Sequence, residues 1–344
     1  MMFKALLICL LLLCLANIGE AEDHLLYFEA QGVIGYSSDL HRTIYYSMNP
    51  DAEMQKPSLG FDYIQRFSGE SGDVATFALQ ARLALAGDTG NYKLEPQVYN
   101  AYLKVKTPGP YVWIGHNRPA LGLSSFFDSH GQILRTLAIE GLSYDRDWGA
   151  GFYKDFSWGD VYTSVTTGSG MPVLFKGGNY MTAGRASYGV LSQDNMNLGF
   201  SLGYGKTLDT MGYELRDPEP RQMMLAGADF TFLRNNFEHR FDFLAGKWLG
   251  EKTYALFYRF GVNLDQEGRF KIEAQPTYWK LGDEKNYLLS CCFSVLATSN
   301  LTVRLGYFYD RNEKDNRVVL QLYYYRPVSW LSKLREKFKT RGGD

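Results

Sequence analysis

Phe237-Glu238-His239-Arg240-Phe241-Asp242-Phe243 carries the clearest periodicity in the chain. In an extended backbone successive side chains point to opposite faces. Phe237, Phe241 and Phe243 therefore share one face, and Glu238, Arg240 and Asp242 share the other. Two later segments repeat the pattern. Phe270, Ile272, Ala274 and Tyr278 alternate with Arg269, Lys271, Glu273 and Gln275, and Leu301, Val303, Leu305, Tyr307 and Tyr309 alternate with Thr302, Arg304 and Asp310. One apolar and one charged face suits half of a soluble sandwich. It suits equally a closed barrel whose apolar face meets lipid and whose charged face meets water.

Earlier segments extend the same rhythm. Phe77, Leu79, Ala81, Leu83 and Leu85 alternate with Thr76, Gln80 and Arg82; Tyr99, Ala101, Leu103 and Val105 alternate with Asn100, Tyr102, Lys104 and Lys106. Met196, Leu198, Phe200, Leu202 and Tyr204 alternate with Asn197, Ser201 and glycines. About sixteen strands are expected, at 25–37, 58–68, 73–87, 95–106, 111–119, 139–156, 159–168, 178–191, 195–206, 222–234, 237–249, 252–264, 268–281, 286–298, 300–311 and 315–326. The period slips in 139–156, where Arg146 falls on the face of Leu142, Tyr144 and Trp148, which predicts a bulge. Every second connection is tight, whereas those at 38–57, 120–138 and 207–221 are long. Short turns on one side of a membrane and long loops on the other produce that alternation. So many strands apolar on one face alone favour a transmembrane antiparallel barrel over a soluble all-β domain. Strand-end aromatics such as Tyr36, Phe67, Tyr188, Tyr258 and Tyr324 suit interfacial girdles.

The ends read differently. Lys4 precedes the apolar run 5–16, and Gly19-Glu20-Ala21 offers small residues for cleavage, so residues 1–21 read as a secretory signal. Residues 22–327 form the barrel domain. Cys9 and Cys14 leave with the signal, and Cys291-Cys292 are strand neighbours that point to opposite faces, so neither a disulfide nor a metal site is expected. Residues 328–344 read as a short basic amphipathic helix, with Trp330, Leu331, Leu334 and Phe338 near one face. A formal net charge of −1 gives no field that would call for nucleic acid.

An export signal, about sixteen alternating strands, alternating loop lengths and a long loop after the fifth expected strand together resemble the bacterial outer-membrane porins. The resemblance spans 25–326, and Tyr111 to Gly122 is similar to the glycine- and proline-bearing strand end that precedes the constriction in several porin groups. It departs from many such barrels in continuing past the last strand at Tyr323-Tyr324-Tyr325. The resemblance implies a bacterial outer-membrane location, contact with lipid, passage of small hydrophilic solutes or ions, and a homotrimer as the common assembly. It also implies that the loop 120–138 folds inward and narrows the pore. Candidate lining residues are Asp128, His130 and Arg135 from that loop, opposed by Arg66, Arg82, Lys104 and Arg118 from nearby strands. Basic groups on the expected inner faces, Arg185 among them, nearly balance the acidic ones, with the early strands richer in basic groups. Ser129 and His130 next to Asp128 invite a hydrolase reading, yet no nucleophile elbow accompanies them, so no catalytic role is assigned. No cofactor is expected. A barrel plugged by its loops or its C-terminal helix is the alternative to an open channel.

Overall fold

The computed structural model describes residues 24–48, 55–69, 72–87, 90–123, 131–190 and 193–328. The first strands are β1 (His24–Ser37), β2 (Arg42–Ile44), β3 (Ser58–Gly69), β4 (Gly72–Ala86), β5 (Lys93–Lys106) and β6 (Tyr111–Asn117). Then come β7 (Asp147–Phe156), β8 (Gly159–Thr166), β9 (Tyr180–Tyr188), β10 (Met196–Met211), β11 (Glu214–Arg234) and β12 (Phe237–Trp248). The last are β13 (Glu251–Asn263), β14 (Phe270–Leu281), β15 (Glu284–Thr298), β16 (Leu301–Asp310) and β17 (Asp315–Pro327). Each long strand pairs antiparallel with its sequence neighbours, and β1 pairs with β17 from Tyr27↔Pro327 to Ser37↔Arg317, closing the sheet. The three-residue β2 continues the line of β3 beside the far end of β1. Sixteen long strands thus form one closed barrel, which leaves no edge exposed.

Register assigns every side chain to a face. Residues directly opposite in an antiparallel pair share a face, so the row Gly199↔Asp229, Asp229↔Asp242 and Asp242↔Phe257 runs round the inside. The outside is the apolar row: Phe200, Leu202, Tyr204, Leu305 and Leu322 are all exposed there, Leu202 by 68%. Exposed apolar surface over a whole sheet face is stable only against lipid. Cys291 lies on the outer face and Cys292 is buried on the inner one, and both are free thiols.

Three local expectations are corrected. Residues 139–146 belong to no strand: β7 begins at Asp147, and 137–142 form a turn with Glu140 N–H donating to Thr136 O and Leu142 N–H to Leu137 O. Leu142 and Tyr144 are apolar because they pack inside the barrel, which in sequence is indistinguishable from facing lipid. Tyr99 does not face outward. The pairing of β4 with β5 shifts between Gln80↔Asn100 and Ala81↔Val98, and this bulge sends the Tyr99 side chain inward with Asn100. The stretch 207–221 is mostly ladder rather than loop, since β10 runs to Met211 and β11 starts at Glu214. Its polar residues and Pro218 and Pro220 hide the strand. The prolines are tolerated because β11 pairs with β12 only from Met224 onward, leaving one side of this segment free of ladder bonds. The expected C-terminal helix at 328–344 lies, apart from Val328, outside the described residues, as does the signal at 1–21.

Candidate pore constriction and lumen

The connection between β6 and β7 enters the barrel along the inner wall. Its backbone N–H groups step from strand to strand. Ala120 donates to Ser164 Oγ on β8 at 3.0 Å, Gly122 to Ser201 Oγ on β10 at 3.3 Å, and Leu123 to Asp242 Oδ2 on β12 at 3.2 Å. The chain is described again from Gly131, whose Cα lies beside the Tyr323 ring of β17. Ile133 and Leu134 then pack with Val33, Cys292, Phe308 and Val319 of β1, β15, β16 and β17. Leu137, Leu142 and Tyr144 return to the opposite wall, joining Met181, Met223, Leu244, Trp248 and Phe257. Ile139 meets Tyr99 of β5, and Arg146 Nε donates to Asn100 Oδ1 at 3.0 Å. One loop therefore touches the wall on several sides.

Other loops converge on it. Tyr144 Oη lies 2.9 Å from Gly168 O and 2.5 Å from Leu208 O, tying it to the β8–β9 loop and the β10–β11 hairpin, and burial holds its phenol well above its ordinary pKa. At the tip of that hairpin Tyr213 Oη accepts from Val98 N–H and donates to Val98 O across the mouth on β5. Arg135 Nη2 donates to Ser47 O in the β1–β3 connection.

The expected lining residues sit at two levels. Arg66 opposes Thr76, which opposes Lys104, so these cations face inward from β3 and β5, on either side of β4, near the short-turn end. Arg66 is exposed, and Lys104 lies over the stacked rings of Tyr111 and Tyr153, 5.7 and 5.6 Å from their centroids. Arg82 opposes Gln97 and donates to its Oε1 at 2.9 Å. Gln97 is seven residues along β5 from Lys104, about 23 Å at strand rise, so Arg82 and Lys104 belong to different rings. Arg118 stands half-buried at the loop entrance. Arg135 is buried: its guanidinium lies over the Phe308 ring at 5.2 Å and 3.4 Å from Glu140, and its carbonyl accepts from Gln275 Nε2 at 2.8 Å. Asp128 and His130 lie outside the described residues.

Sequence reasoning counted Arg185 as one lumenal charge among many; its partners make it a tie across four strands. Arg185 on β9 makes a bidentate pair with Asp229 on β11 (2.9 and 2.6 Å), reaches Asp160 on β8 at 3.1 Å and Asn197 on β10 at 2.5 Å. Gly199 lies beneath it, and a Cβ there would run into the guanidinium. A second chain of bonds follows the early strands: Asn100 donates to Gln80, Gln80 to Glu29, and Gln321 to Gln31. Each of the sixteen long strands carries at least one buried inward residue, among them Glu29, Arg82, Trp113, Arg185, Gln275 and Gln321. Glu29 is only 1% exposed and Arg82 only 4%. Nearer the short-turn end, Asp62, Tyr111, Tyr153, Lys271, Arg304 and Tyr325 are half-open. The lumen is thus a vestibule at one end and closely packed at the loop level.

Glu140 makes that packing sensitive to pH. Burial raises its pKa above the ordinary 4.5, against the opposing pull of Arg135 and, more weakly, Arg317, with Asp310 adding to the rise. A carboxyl whose folded pKa is raised contributes stability that is full below its unfolded pKa and lost as pH rises through the folded one. Backbone exchange in 131–146, corrected for intrinsic rates, is therefore expected to be slower at pH 4 than at pH 8, and Glu140→Gln should abolish the difference. Equal protection at both pH values in the parent chain would contradict this.

Among the described residues no group of three or more His, Cys, Asp or Glu side chains is arranged to hold a metal ion. No protein-family model matches the chain, and no curated protein does. Solved structures do. OmpF of Salmonella typhi, in complex with daunomycin, aligns with a TM-score of 0.64 at 9% identity over 88% of this chain and 97% of its own. The outer-membrane protein OmpT of Vibrio cholerae, lacking loop L8, gives 0.60 at 11% identity over 88% and 98%. The anion-selective porin of Comamonas acidovorans gives 0.57 at 9% identity over 89% and 99%. At such identities the likeness is one of fold, and by closed sheet, strand number and face pattern the chain is a porin-like β-barrel.

Proposed function

We propose that the protein is a porin of the bacterial outer membrane, a passive diffusion channel for small hydrophilic solutes or ions. The observation that carries this reading is the closed barrel itself, apolar outside and charged inside, with the β6–β7 loop drawn into its lumen. Such a channel needs no cofactor: fixed polar groups replace part of a solute's hydration, and the narrowest ring selects by size and charge. In this reading Arg66, Lys104 and Arg118 face the solute path together with Asp128 and His130, while Arg82 and Arg135 shape its wall. Homotrimeric assembly belongs to the same reading, supported by the trimer form in which Vibrio cholerae OmpT was solved.

A specific observation favours a second reading, a barrel closed to flow. Large polar side chains such as Glu29, Gln80 and Arg82 are almost wholly buried at the loop level, whereas a water-filled path would wet some of them. Conductance of the refolded mature chain in a planar bilayer under a salt gradient separates the two. Steady single-channel current with a small reversal potential is the expected result for a porin with nearly balanced lumenal charge. Absence of current from protein that spectroscopy shows to be folded would sink the channel and leave the closed barrel.

A further inference from the structure

Beneath the inward loop, toward the short-turn end, the wall of β13–β16 borders a half-open cavity of about 240 Å³. Its roof is Gln132, Ile133 and Leu134 of the loop, and its rim includes Gly268 and Arg269 of the β13–β14 turn. Arg259, Lys271, Glu273 and Arg304 line it.

The charges there do not cancel. Glu238 is shared by Arg240 and Lys271, and Glu273 is held by Lys271 at 3.0 Å. Arg259 and Arg304 donate their hydrogen bonds to neutral acceptors, and the carboxylate that acts on both from a longer range, Glu273, is already held by Lys271. Arg259 donates to Gln275 Oε1 at 2.7 Å, to Gln132 Oε1 at 2.9 Å and to Arg135 O at 3.4 Å. Arg304 donates to Gln321 Oε1 at 3.0 Å through one nitrogen and lies 5.9 Å from the Tyr323 ring centroid. Arg269 on the rim is paired with Glu267 at 2.6 Å, and of the other charges four cations (Arg240, Arg259, Lys271 and Arg304) face two carboxylates (Glu238 and Glu273).

A buried guanidinium with no counter-charge is costly. Neutral acceptors satisfy its hydrogen bonds without neutralising it. Each guanidinium nitrogen of Arg259 already bonds the loop or the wall, whereas Arg304, which also lines the cavity, bonds through Nη1 alone among the described residues. Ser294 and Thr302 add hydroxyl donors to the lining. An oxyanion seated there would receive charge-assisted bonds from a guanidinium fork and supply the missing negative charge.

We infer that this cavity is a binding site for a small oxyanion, phosphate or a short carboxylate, with Arg304 as its principal ligand and Arg259 behind it. Binding here is an equilibrium property of the folded barrel and does not depend on whether current flows through it.

The test is equilibrium binding of radiolabelled inorganic phosphate to the refolded full chain in detergent at low ionic strength, with unlabelled succinate as competitor. Saturable binding to the parent chain is expected, weakened roughly tenfold or more in Arg304→Gln and strengthened in Glu273→Gln, as follows from removing one cation or one anion. Arg304 is only partly enclosed, so its variant should fold where Arg259→Gln fails. Succinate that displaces phosphate marks a general oxyanion site, and phosphate that persists marks one selective for phosphate; both support the assignment. No saturable binding to folded protein overturns it, and so does binding that Arg304→Gln leaves unchanged.

Discussion

Replacing residues 120–145 by a short Gly-Ser linker is expected to raise single-channel conductance several-fold. The loop fills the lumen through Leu123, Leu137 and Leu142, buried against one side of the wall, and Ile133 and Leu134, buried against the other. Conductance follows the narrowest cross-section, so emptying that level exposes the full bore. The barrel should survive. Its β6–β7 ladder runs to Asn117↔Asp147, beyond which nothing in the strand pairing requires the loop. What is lost is apolar burial inside, and the inner faces of Met181, Met223, Trp248 and Phe257 become wet. A lower unfolding temperature should accompany the larger current. Folded protein with parental conductance would mean that the barrier lies elsewhere.

Arg185→Ala is expected to destabilise the barrel by about 3–5 kcal/mol, the usual cost of stripping one partner from a buried ion pair. Asp229 would lose two charge-assisted bonds and Asp160 one, both almost wholly buried. Asp242 stands opposite Asp229 on the same inner face, so the neighbour across that ladder offers Asp229 no replacement cation. Urea unfolding of the refolded protein, followed by tryptophan fluorescence, measures the change. Asp229→Asn should cost less, because it keeps an acceptor for the guanidinium. Gly199→Ala should behave like a milder Arg185 variant, since its methyl displaces that guanidinium. A shift below about 1 kcal/mol, the scale of an exposed pair, would show that Arg185 is hydrated in solution.

How much of this was legible in the sequence follows from which physics is local. Alternation is a property of one strand, so the lipid-facing row at 196–204 and the charged row at 238–242 could be read from residue order, as could closure of many such strands into a barrel. The lumenal placement of Arg185, Arg240, Lys271 and Arg304 came with it. Where the same residue type serves two environments, order alone misled. Leu142 and Tyr144 are apolar because they fill the lumen, and the single-residue bulge that turns Tyr99 inward leaves no mark on composition. Beyond the lipid band the outer face becomes polar, so β10 and β11 lost their signal although their ladder continues.

The candidate site was legible only as a set of charges. Their heights and partners are tertiary. Register alone put Arg82 and Lys104 on different rings, and only the packed loop put Arg135 under Ser47 and over Phe308. By itself the sequence determined the barrel, the faces of its strands and the existence of a long connection after Asn117. The tertiary structure decided that this connection crosses the lumen and which cations bond only neutral acceptors, because both depend on contacts between residues more than a hundred positions apart, such as Leu123 with Asp242 and Gln132 with Arg259.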